Sequence, residues 1–354
     1  MMGAHSNTPP AETGVPSFEN SVAWRKIVGP VDGFLQASVA RLTEQINQFD
    51  PDIREYVTYA LTAQGKHLRP ALVALSGNAT GVVNDGHLSG AVIVEMVHLA
   101  TLVHDDVMDE ARLRRARPTL AARWGNHLAV LVGDCLFAHS LRLAAQFPTP
   151  EVCRVVSAAT KTVCSGEILQ DRHAGDFSLS REDYFKVLGM KTGELFALSA
   201  ELGALLNGAP AAQRGALRDY GMALGTAYQV YDDCLDLFGT EGEAGKTLGG
   251  DLAKGKLTLP VLLLLEKASP VDRKRVEEWL PAWEPSDLPS FREFLDRYQT
   301  FSGCSAVLGG LLDQARSALA ALTDSPGRRS LLGLTDFLAA QMAGLGETSK
   351  VPAA

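Results

Sequence analysis

The sequence predicts an all-α fold in which a single bundle of about ten or more helices surrounds a central cavity. Apolar residues recur at spacings of three and four along almost the whole chain, and no convincing strand-like alternation occurs. Gly, Pro and Asn-Asp breaks divide this pattern into separate helices. Two aspartate clusters lie within apolar segments, where isolated carboxylates would be costly to bury, so we expect them to line the cavity.

The elements follow from that periodicity in chain order. The predicted helices cover residues 31–49, 51–64, 69–80, 86–110, 118–146, 150–173, 181–207, 211–239, 258–268, 289–322 and 328–344. Residues 269–290, rich in Pro, Trp and charge, are expected to form a surface connection. We expect a disordered leader over residues 1–20, one all-α domain over 21–345 and a frayed tail over 346–354.

Composition excludes several classes of protein. The chain has 354 residues, 46% of them hydrophobic, and a net charge of −8, which argues against a nucleic-acid partner. The five cysteines show no metal-ligand or disulfide spacing, so a reducing cytoplasm fits best. Residues 128–147 are the best candidate for a membrane span, but Asp134, His139 and Arg142 interrupt them, so we predict no integral membrane segment. The N-terminal residues lack the basic and apolar character of a signal peptide.

The two aspartate clusters have the same spacing. Residues 105–109 read DDVMD and residues 232–236 read DDCLD, so the first and last acids of each cluster are four residues apart. On a helix, two such carboxylates project from one face and can hold a hard cation together. Each cluster continues a polar stripe on an apolar helix: His98, Thr101, Asp105 and Asp109 in one, Gln229, Asp232, Asp233 and Asp236 in the other.

Basic residues accompany the acid clusters and glycine-rich bends. They are Lys66 and Arg69 in one segment, Arg112, Arg114, Arg115 and Arg117 after the first cluster, Lys191 beside Thr192, and Lys246, Lys254 and Lys256 after the second cluster. Lysine and arginine are the usual phosphate ligands, and Mg²⁺ commonly bridges carboxylates to phosphate oxygens. The pattern therefore indicates a polyphosphate substrate bound through Mg²⁺.

These residues resemble the trans-type isoprenyl diphosphate synthases, or polyprenyl synthetase family. Five motifs occur in register between Gly65 and Pro260: GKHLRP, EMVHLATLVHDDVMDEARLRRARPT, KTGELF, YQVYDDCLDLFG and GKTLGGDLAKGKLTLP. The resemblance implies an isoprenoid-synthase-type helical bundle, usually a homodimer. It also implies an enzyme that condenses isopentenyl diphosphate with an allylic diphosphate, using three Mg²⁺ ions per active site and releasing diphosphate.

The resemblance also implies roles for single residues. Asp105, Asp109 and Asp232 resemble the metal ligands, with Asp106, Asp233 and Asp236 supporting them. Lys66, Arg69, His98 and Arg115 resemble the contacts to isopentenyl diphosphate, whereas Arg114, Lys191, Thr192 and Gln229 resemble those to the allylic diphosphate. Lys246 and Lys256 resemble the basic groups of a closing loop. Among these, Asp105, Asp109, Asp232, Lys191, Thr192 and Gln229 are the expected catalytic set.

Two small residues lead to an expectation for product length. Ala100 and Thr101 precede Asp105 on its helix and would lie roughly 6 to 8 Å deeper, at about 1.5 Å per residue. Aromatic side chains at these positions resemble the stops of farnesyl- and geranylgeranyl-length enzymes. Because both residues are small here, we predict a longer all-trans product, hexaprenyl or beyond. Met96, Phe137 or Phe196 could supply a floor instead.

Other functions remain open at this stage. A short-chain farnesyl or geranylgeranyl diphosphate synthase is the first alternative, and a class I terpene cyclase is a weaker one because it would not need Lys66, Arg69 and Arg115. A non-catalytic subunit of a heteromeric synthase would not need intact motifs. A nucleotide-binding module is disfavoured because the Gly-Lys-Thr at 245–247 lacks the earlier glycine and follows a helix.

Overall fold

The computed structural model describes residues 21–62, 65–115, 117–244 and 247–348 and confirms the all-α fold. The helices are α1 (Val22–Val28), α2 (Asp32–Glu44), α3 (Arg54–Leu61), α4 (Leu68–Thr80), α5 (Asp85–Met108), α6 (Leu120–Trp124), α7 (Asn126–Ala144), α8 (Glu151–Arg172), α9 (Arg181–Leu188), α10 (Glu194–Leu205), α11 (Ala211–Phe238), α12 (Glu241–Ala244), α13 (Gly250–Ala253), α14 (Leu259–Lys267), α15 (Pro270–Trp279), α16 (Leu288–Arg297), α17 (Thr300–Ala318) and α18 (Pro326–Thr348). Short 3₁₀ turns cover Gly29–Val31, Gln45–Gln48, Pro51–Ile53, Leu280–Ala282, Pro285–Asp287 and Leu319–Ala321, and a π-helical turn covers Gly189–Gly193.

The helix starts have local causes in the sequence. Asn84 caps α5 through a reciprocal capping box with His87. Ser180 caps α9, and its side chain accepts a hydrogen bond from the amide of Asp183. Ser269 caps α15 in the same way, directly before a proline at the first helical position. These caps satisfy amide groups that a helix start otherwise leaves without partners.

The core forms where long helices meet. Helix α10 packs against α4, α5 and α11, while α5 also packs against α7. Glycine allows the closest approaches: a Cβ at Gly203 of α10 would clash with the carbonyl oxygen of Val73 in α4, and one at Gly221 of α11 would clash with the backbone of Phe196. Helix α10 therefore contacts both helices that carry the aspartate clusters, α5 and α11.

Several boundaries differ from the sequence-based expectation. The segment 118–146 is two helices, separated at Gly125, whose φ of +90° is a conformation that favours glycine. The segment 289–322 is likewise divided, at Gln299, which has a φ of +50°. The supposed connection 269–290 is wrong: it contains α15 and the start of α16. Its Trp283 lies against the core, because an indole buries a large apolar area.

A small hairpin was not expected from the sequence. Two strands, β1 (Leu113–Arg114) and β2 (Arg117–Pro118), pair antiparallel, with Arg114 opposite Arg117. Strands of two residues are too short to show alternation, which explains why periodicity missed them. The hairpin follows directly after α5 and carries three of the predicted basic residues.

Terminal predictions fall partly outside the described residues. The predicted leader over 1–20 lies outside them, as do residues 349–354 of the predicted tail. Residues 346–348 belong to α18.

Two of the described helices, α5 and α7, are long and apolar enough to cross a membrane when judged by length and composition alone. However, 72% of the apolar window in α5 and 39% of that in α7 is buried inside the fold.

Candidate active site

The first aspartate cluster lies at the C-terminal end of α5. Asp105 is largely buried, with 15% of its side chain exposed, and its Oδ2 lies 3.8 Å from Nζ of Lys191. Its Oδ1 is buried without a hydrogen-bond partner among the described residues. Burial raises the pKa of Asp105, and the positive charge of Lys191 partly opposes that rise. A buried carboxylate oxygen without a donor is suited to a cation.

Lys191 approaches this cluster from the π-helical turn between α9 and α10. Its Nζ donates to Glu167 Oε2 at 2.6 Å and to Gln170 Oε1 at 2.7 Å, both on α8. A Cβ at Gly166 would lie 2.8 Å from the backbone nitrogen of Lys191, so this glycine lets α8 approach the turn closely. Burial raises the pKa of Glu167 to about 7, with the charge of Asp105 adding to the effect.

Asp109, the C-cap of α5, is bound by two lysines that lie far away in sequence. Lys254 Nζ donates to its Oδ2 at 2.9 Å, and Lys256 Nζ donates to its Oδ1 at 3.0 Å. Burial alone would raise the pKa of Asp109, but the hydrogen bonds and charges of the two lysines outweigh it and lower that pKa. The segment after the second aspartate cluster therefore contacts the first cluster directly.

The second cluster lies in the last turns of α11. Asp233 is buried, and it accepts hydrogen bonds from Tyr184 Oη at 2.5 Å and from Gln229 Nε2 at 2.9 Å. Burial, reinforced by the nearby Asp251, raises the pKa of Asp233 to about 8. Asp236 is fully buried and accepts a hydrogen bond from the amide of Asp251 at 3.1 Å. Asp232 lies half-buried beside them.

A short chain of contacts links the two clusters. Thr192 donates to Gln229 Oε1 at 2.9 Å, and Gln229 in turn donates to Asp233. Since Lys191 precedes Thr192 and contacts Asp105, the turn bridges α5 and α11. A cavity of about 110 Å³ lies beside this bridge. Its lining includes Gln170, Lys191, Thr192, Gln229, Asp233 and Lys256.

The other predicted basic residues gather beside α5 and α4. A Cβ at Gly65 would lie 3.0 Å from the Arg115 guanidinium, so the hairpin packs directly against the loop that carries Lys66. Burial and the charges of Arg69, Arg114 and Arg115 hold the pKa of His98 well below its usual value, which keeps this imidazole neutral. Two segments, the start of α4 with its preceding loop and the hairpin, thus lie close to His98 on α5.

Aromatic side chains and an acid hold these cations in place. The Arg69 guanidinium lies 5.0 Å from the centre of the Phe196 ring. Lys66 Nζ lies 3.4 Å from Tyr228 Oη. Arg114 Nε donates to the buried Asp106 Oδ1 at 2.8 Å. Lys246 falls outside the described residues.

The two predicted chain-length residues are buried in α5. Ala100 is fully buried and packs in an apolar cluster that includes Met96 and Leu136. Thr101 Oγ1 donates to the carbonyl oxygen of His98 at 2.7 Å. Phe196, considered as a possible floor, instead lies in a different cluster beneath Arg69.

The carboxylate oxygens of this site suit a metal ion that the substrate also coordinates. Within the described ranges, no three His, Cys, Asp or Glu side chains converge closely enough to hold a metal by themselves. Mg²⁺ usually takes one or two carboxylates and completes its shell with water and phosphate oxygens. The unpartnered Oδ1 of Asp105 and the carboxylate of Asp109 fit that pattern, and the neighbouring lysines fit the phosphate.

Sequence reasoning missed several residues of this site. Glu167, Gln170 and Tyr184 are single polar residues on ordinary amphipathic helices, so spacing carries no signal for them. Lys254 was noticed as a cation, but its contact with Asp109 spans 145 residues. Only the fold brings these groups together.

Comparisons with known proteins agree with this geometry. The polyprenyl synthetase family model matches residues 50–295. The chain is 32% identical over 296 residues to the octaprenyl diphosphate synthase of Escherichia coli, covering 83% of this chain and 92% of that protein. It is also 32% identical to a short chain isoprenyl diphosphate synthase of Methanothermobacter thermautotrophicus, covering 84% and 93% of the two chains. A crystal structure of a decaprenyl diphosphate synthase from Rhodobacter capsulatus superposes with a TM-score of 0.82 at 34% identity, covering 90% of this chain and 98% of that one.

Proposed function

Since the chain belongs to the polyprenyl synthetase family, we propose that it condenses isopentenyl diphosphate with an allylic diphosphate, releasing diphosphate and forming an all-trans polyprenyl diphosphate. The observation that carries this function is the contact of Lys254 and Lys256 with Asp109. It joins the segment after the second aspartate cluster to the first cluster. Acidic and positively charged side chains from both motifs therefore surround one site, as binding of a metal-bridged diphosphate requires.

The product is a long-chain polyprenyl diphosphate. The names octaprenyl and decaprenyl of two relatives support this length. A relative named for short chains matches equally well, so the product length has to be inferred from the residues below the metal site. Ala100 and Thr101 leave α5 without a bulky stop at the two positions that precede Asp105 by five and four residues.

Members of this family are generally Mg²⁺-dependent, and the acid groups suit that ion. In our proposal Asp105, Asp109 and Asp232 hold three Mg²⁺ ions together with the diphosphate. When bound, these ions stabilise the negative charge that develops on the departing diphosphate. Asp106 supports the site by fixing Arg114, and Asp233 and Asp236 support it by fixing Gln229 and the amide of Asp251.

The cations bind the two substrates at separate places. Lys66, Arg69, His98 and Arg115 bind isopentenyl diphosphate, and the neutral His98 contributes a hydrogen bond without adding charge. Arg114, Lys191 and Lys256 bind the allylic diphosphate, with Lys246 joining them. Lys191 is held between Asp105 and Glu167, so it is oriented before any substrate arrives.

Thr192 and Gln229 stabilise the positive charge on the reacting carbon. Their hydrogen bond at 2.9 Å fixes both side chains at the cavity wall, where neutral oxygen dipoles stabilise an allylic cation without reacting with it. The surrounding apolar residues exclude water, so the cation meets the double bond of isopentenyl diphosphate instead of being hydrolysed.

We place the protein in the cytoplasm as a homodimer. Helix α7 presents exposed Val130 and Leu131, 39% and 47% exposed, and α8 presents Ile168, 70% exposed. Helix α7 packs beside α8, and a second copy that covered both helices would bury these apolar side chains.

A product assay tests the proposed reaction. Purified protein is incubated with radiolabelled isopentenyl diphosphate and, in turn, geranyl, farnesyl or geranylgeranyl diphosphate, and the dephosphorylated products are sized. Mg²⁺-dependent chains longer than geranylgeranyl are expected. Products that stop at fifteen or twenty carbons would reject the long-chain assignment, and no incorporation with any primer would reject the reaction itself.

A further inference from the structure

A second, more apolar cavity lies beside the hairpin. It has a volume of about 380 Å³ and lies between α3, α5, α6 and the hairpin β1–β2. Its floor is Tyr59, Ala60, Leu99, Leu102, Val103 and Leu120. A volume of this size falls in the range of about 300 to 1,000 Å³ that small-molecule sites occupy.

This cavity is separate from the predicted chain-length positions. Leu99, Val103 and Asp106 are spaced by four and three residues, so they share one face of α5. Leu102 lies three residues before Asp105 and so adjoins the face of that acid, but neither Ala100 nor Thr101 lines the cavity. A molecule in this cavity would therefore contact neither of the two predicted chain-length residues.

Three arginines of the hairpin line the rim. Arg114, Arg115 and Arg117 are lining residues, whereas Asp106 is the one acid among the described residues that line the cavity. Three positive charges and one negative charge leave a net charge of +2. Such a rim above an apolar floor matches a molecule with one apolar chain and an anionic head.

The rim is held firmly in place. The Arg117 guanidinium lies 3.5 Å from the centre of the Tyr59 ring, a stacking contact. Tyr59 Oη donates to the carbonyl oxygen of Pro118 at 2.6 Å, which ties α3 to β2. The floor and the cationic rim are thus parts of one preformed surface.

We infer that this cavity binds a single-chain amphiphile with a phosphate head, its chain on the Leu99 and Leu102 side and its head among the hairpin arginines. Because Arg114 and Arg115 also serve the substrates in the proposed function, a phosphate bound to them in this cavity would compete with the substrate diphosphates and slow prenyl transfer. The inhibition rests on that proposed function, whereas the binding does not.

Calorimetry on the full chain measures the binding separately from the inhibition. Dodecyl phosphate below its micellar concentration, titrated in EDTA, is expected to bind at one site per chain. Arg117→Gln should weaken this binding by at least about tenfold, as loss of a charged hydrogen bond does. Arg123→Gln is the matched control, because Arg123 also stacks on Tyr59, at 5.1 Å, but does not line the cavity. Thr62→Trp, at the exposed mouth, should block binding without disturbing the hairpin.

Further experiments identify the class of ligand that binds and the effect of binding on activity. Farnesyl monophosphate that binds more tightly than dodecyl phosphate would point to prenyl phosphates, and equal affinity to lipid phosphates in general. With Mg²⁺ present, dodecyl phosphate should slow prenyl transfer by wild type and much less by Arg117→Gln. The site is refuted if wild type shows no saturable binding, or if Arg117→Gln and Thr62→Trp bind as wild type does. A protein that binds dodecyl phosphate but shows no prenyl transfer would refute the proposed reaction and leave the cavity assignment standing.

Discussion

Lys256 donates a hydrogen bond of 3.0 Å to Asp109 although 147 residues separate the two in sequence. The contact joins the loop after α13 to the end of α5. Lys254 binds the other oxygen of the same carboxylate at 2.9 Å. With both lysines in place, Asp109 has two cations around it before any metal or diphosphate arrives. In the proposed reaction, these lysines would turn from the carboxylate toward the phosphate of the substrate.

Replacing Lys256 should weaken binding of the allylic substrate. In Lys256→Ala, we expect KM for the allylic diphosphate to rise by about tenfold or more, because a charged hydrogen bond contributes about 1.5–3 kcal/mol. Steady-state kinetics at fixed isopentenyl diphosphate measures this. Lys274→Ala is the control, since Lys274 is exposed and forms an exposed ion pair with Glu278. A KM unchanged from wild type would contradict the assignment of Lys256.

Replacing Asp105 should affect both activity and the metal requirement. Asp105→Asn keeps the side-chain shape but removes a charge that we assign to Mg²⁺, so we expect kcat to fall by at least about a hundredfold. The Mg²⁺ concentration for half-maximal rate should also rise. Asp313→Asn, on the exposed surface of α17, should change neither quantity. A variant with an unaltered Mg²⁺ titration curve would show that Asp105 is not a ligand.

Sequence periodicity predicted the helices and the acid stripes because both are local. Asp105 and Asp109 are four residues apart, and any helix places them on one face. Glu167 and Lys191 could not be paired from spacing alone, since their contact depends on how α8 packs against the π-helical turn. The helix α15 was missed although its signal was present: Ser269 followed by a proline is a typical helix start.

Filling the position below the metal site should shorten the product. In Ala100→Tyr, the ring would enter the path of the growing chain, so most product should stop at shorter lengths while the first condensation continues. Thr101→Tyr provides a second test if the fully buried Ala100 does not tolerate the ring. Chromatographic sizing of the products measures the effect, and Ala343→Tyr on the exposed face of α18 is the control. Unchanged chain lengths in both variants would reject the placement.

Glu167 should make stability depend on pH. Its pKa is raised from 4.5 to about 7 in the folded protein, so between these values the folded state binds more protons than the unfolded state. Its contribution to the free energy of unfolding is therefore present below pH 4.5 and is lost as pH rises toward 7. At most about 3 kcal/mol is involved, at 1.36 kcal/mol per pKa unit.

Urea unfolding in EDTA at pH 5 and pH 8 measures this dependence. The free energy of unfolding of wild type, relative to that of Glu167→Gln, should be lower at pH 8 than at pH 5, since the variant cannot ionise at this position. Glu278→Gln controls for an exposed glutamate in an ion pair with Lys274. An equal difference between wild type and Glu167→Gln at both pH values would show that Glu167 titrates normally.

The outer face of α7 should hold two copies together. Each chain has a mass of 37.8 kDa, and light scattering on wild type is expected to give about twice that value. Leu131→Glu would bury a charge at the interface, so this variant should run as a monomer at micromolar concentration. Val82 is 80% exposed on a different part of the surface, so Val82→Glu should remain a dimer.

The dimer should also affect product length. Because α7 packs against α5, loss of the partner should leave less support behind Ala100, and a monomeric variant should make a broader range of chain lengths. A wild-type protein that is monomeric at all concentrations would contradict the assigned interface.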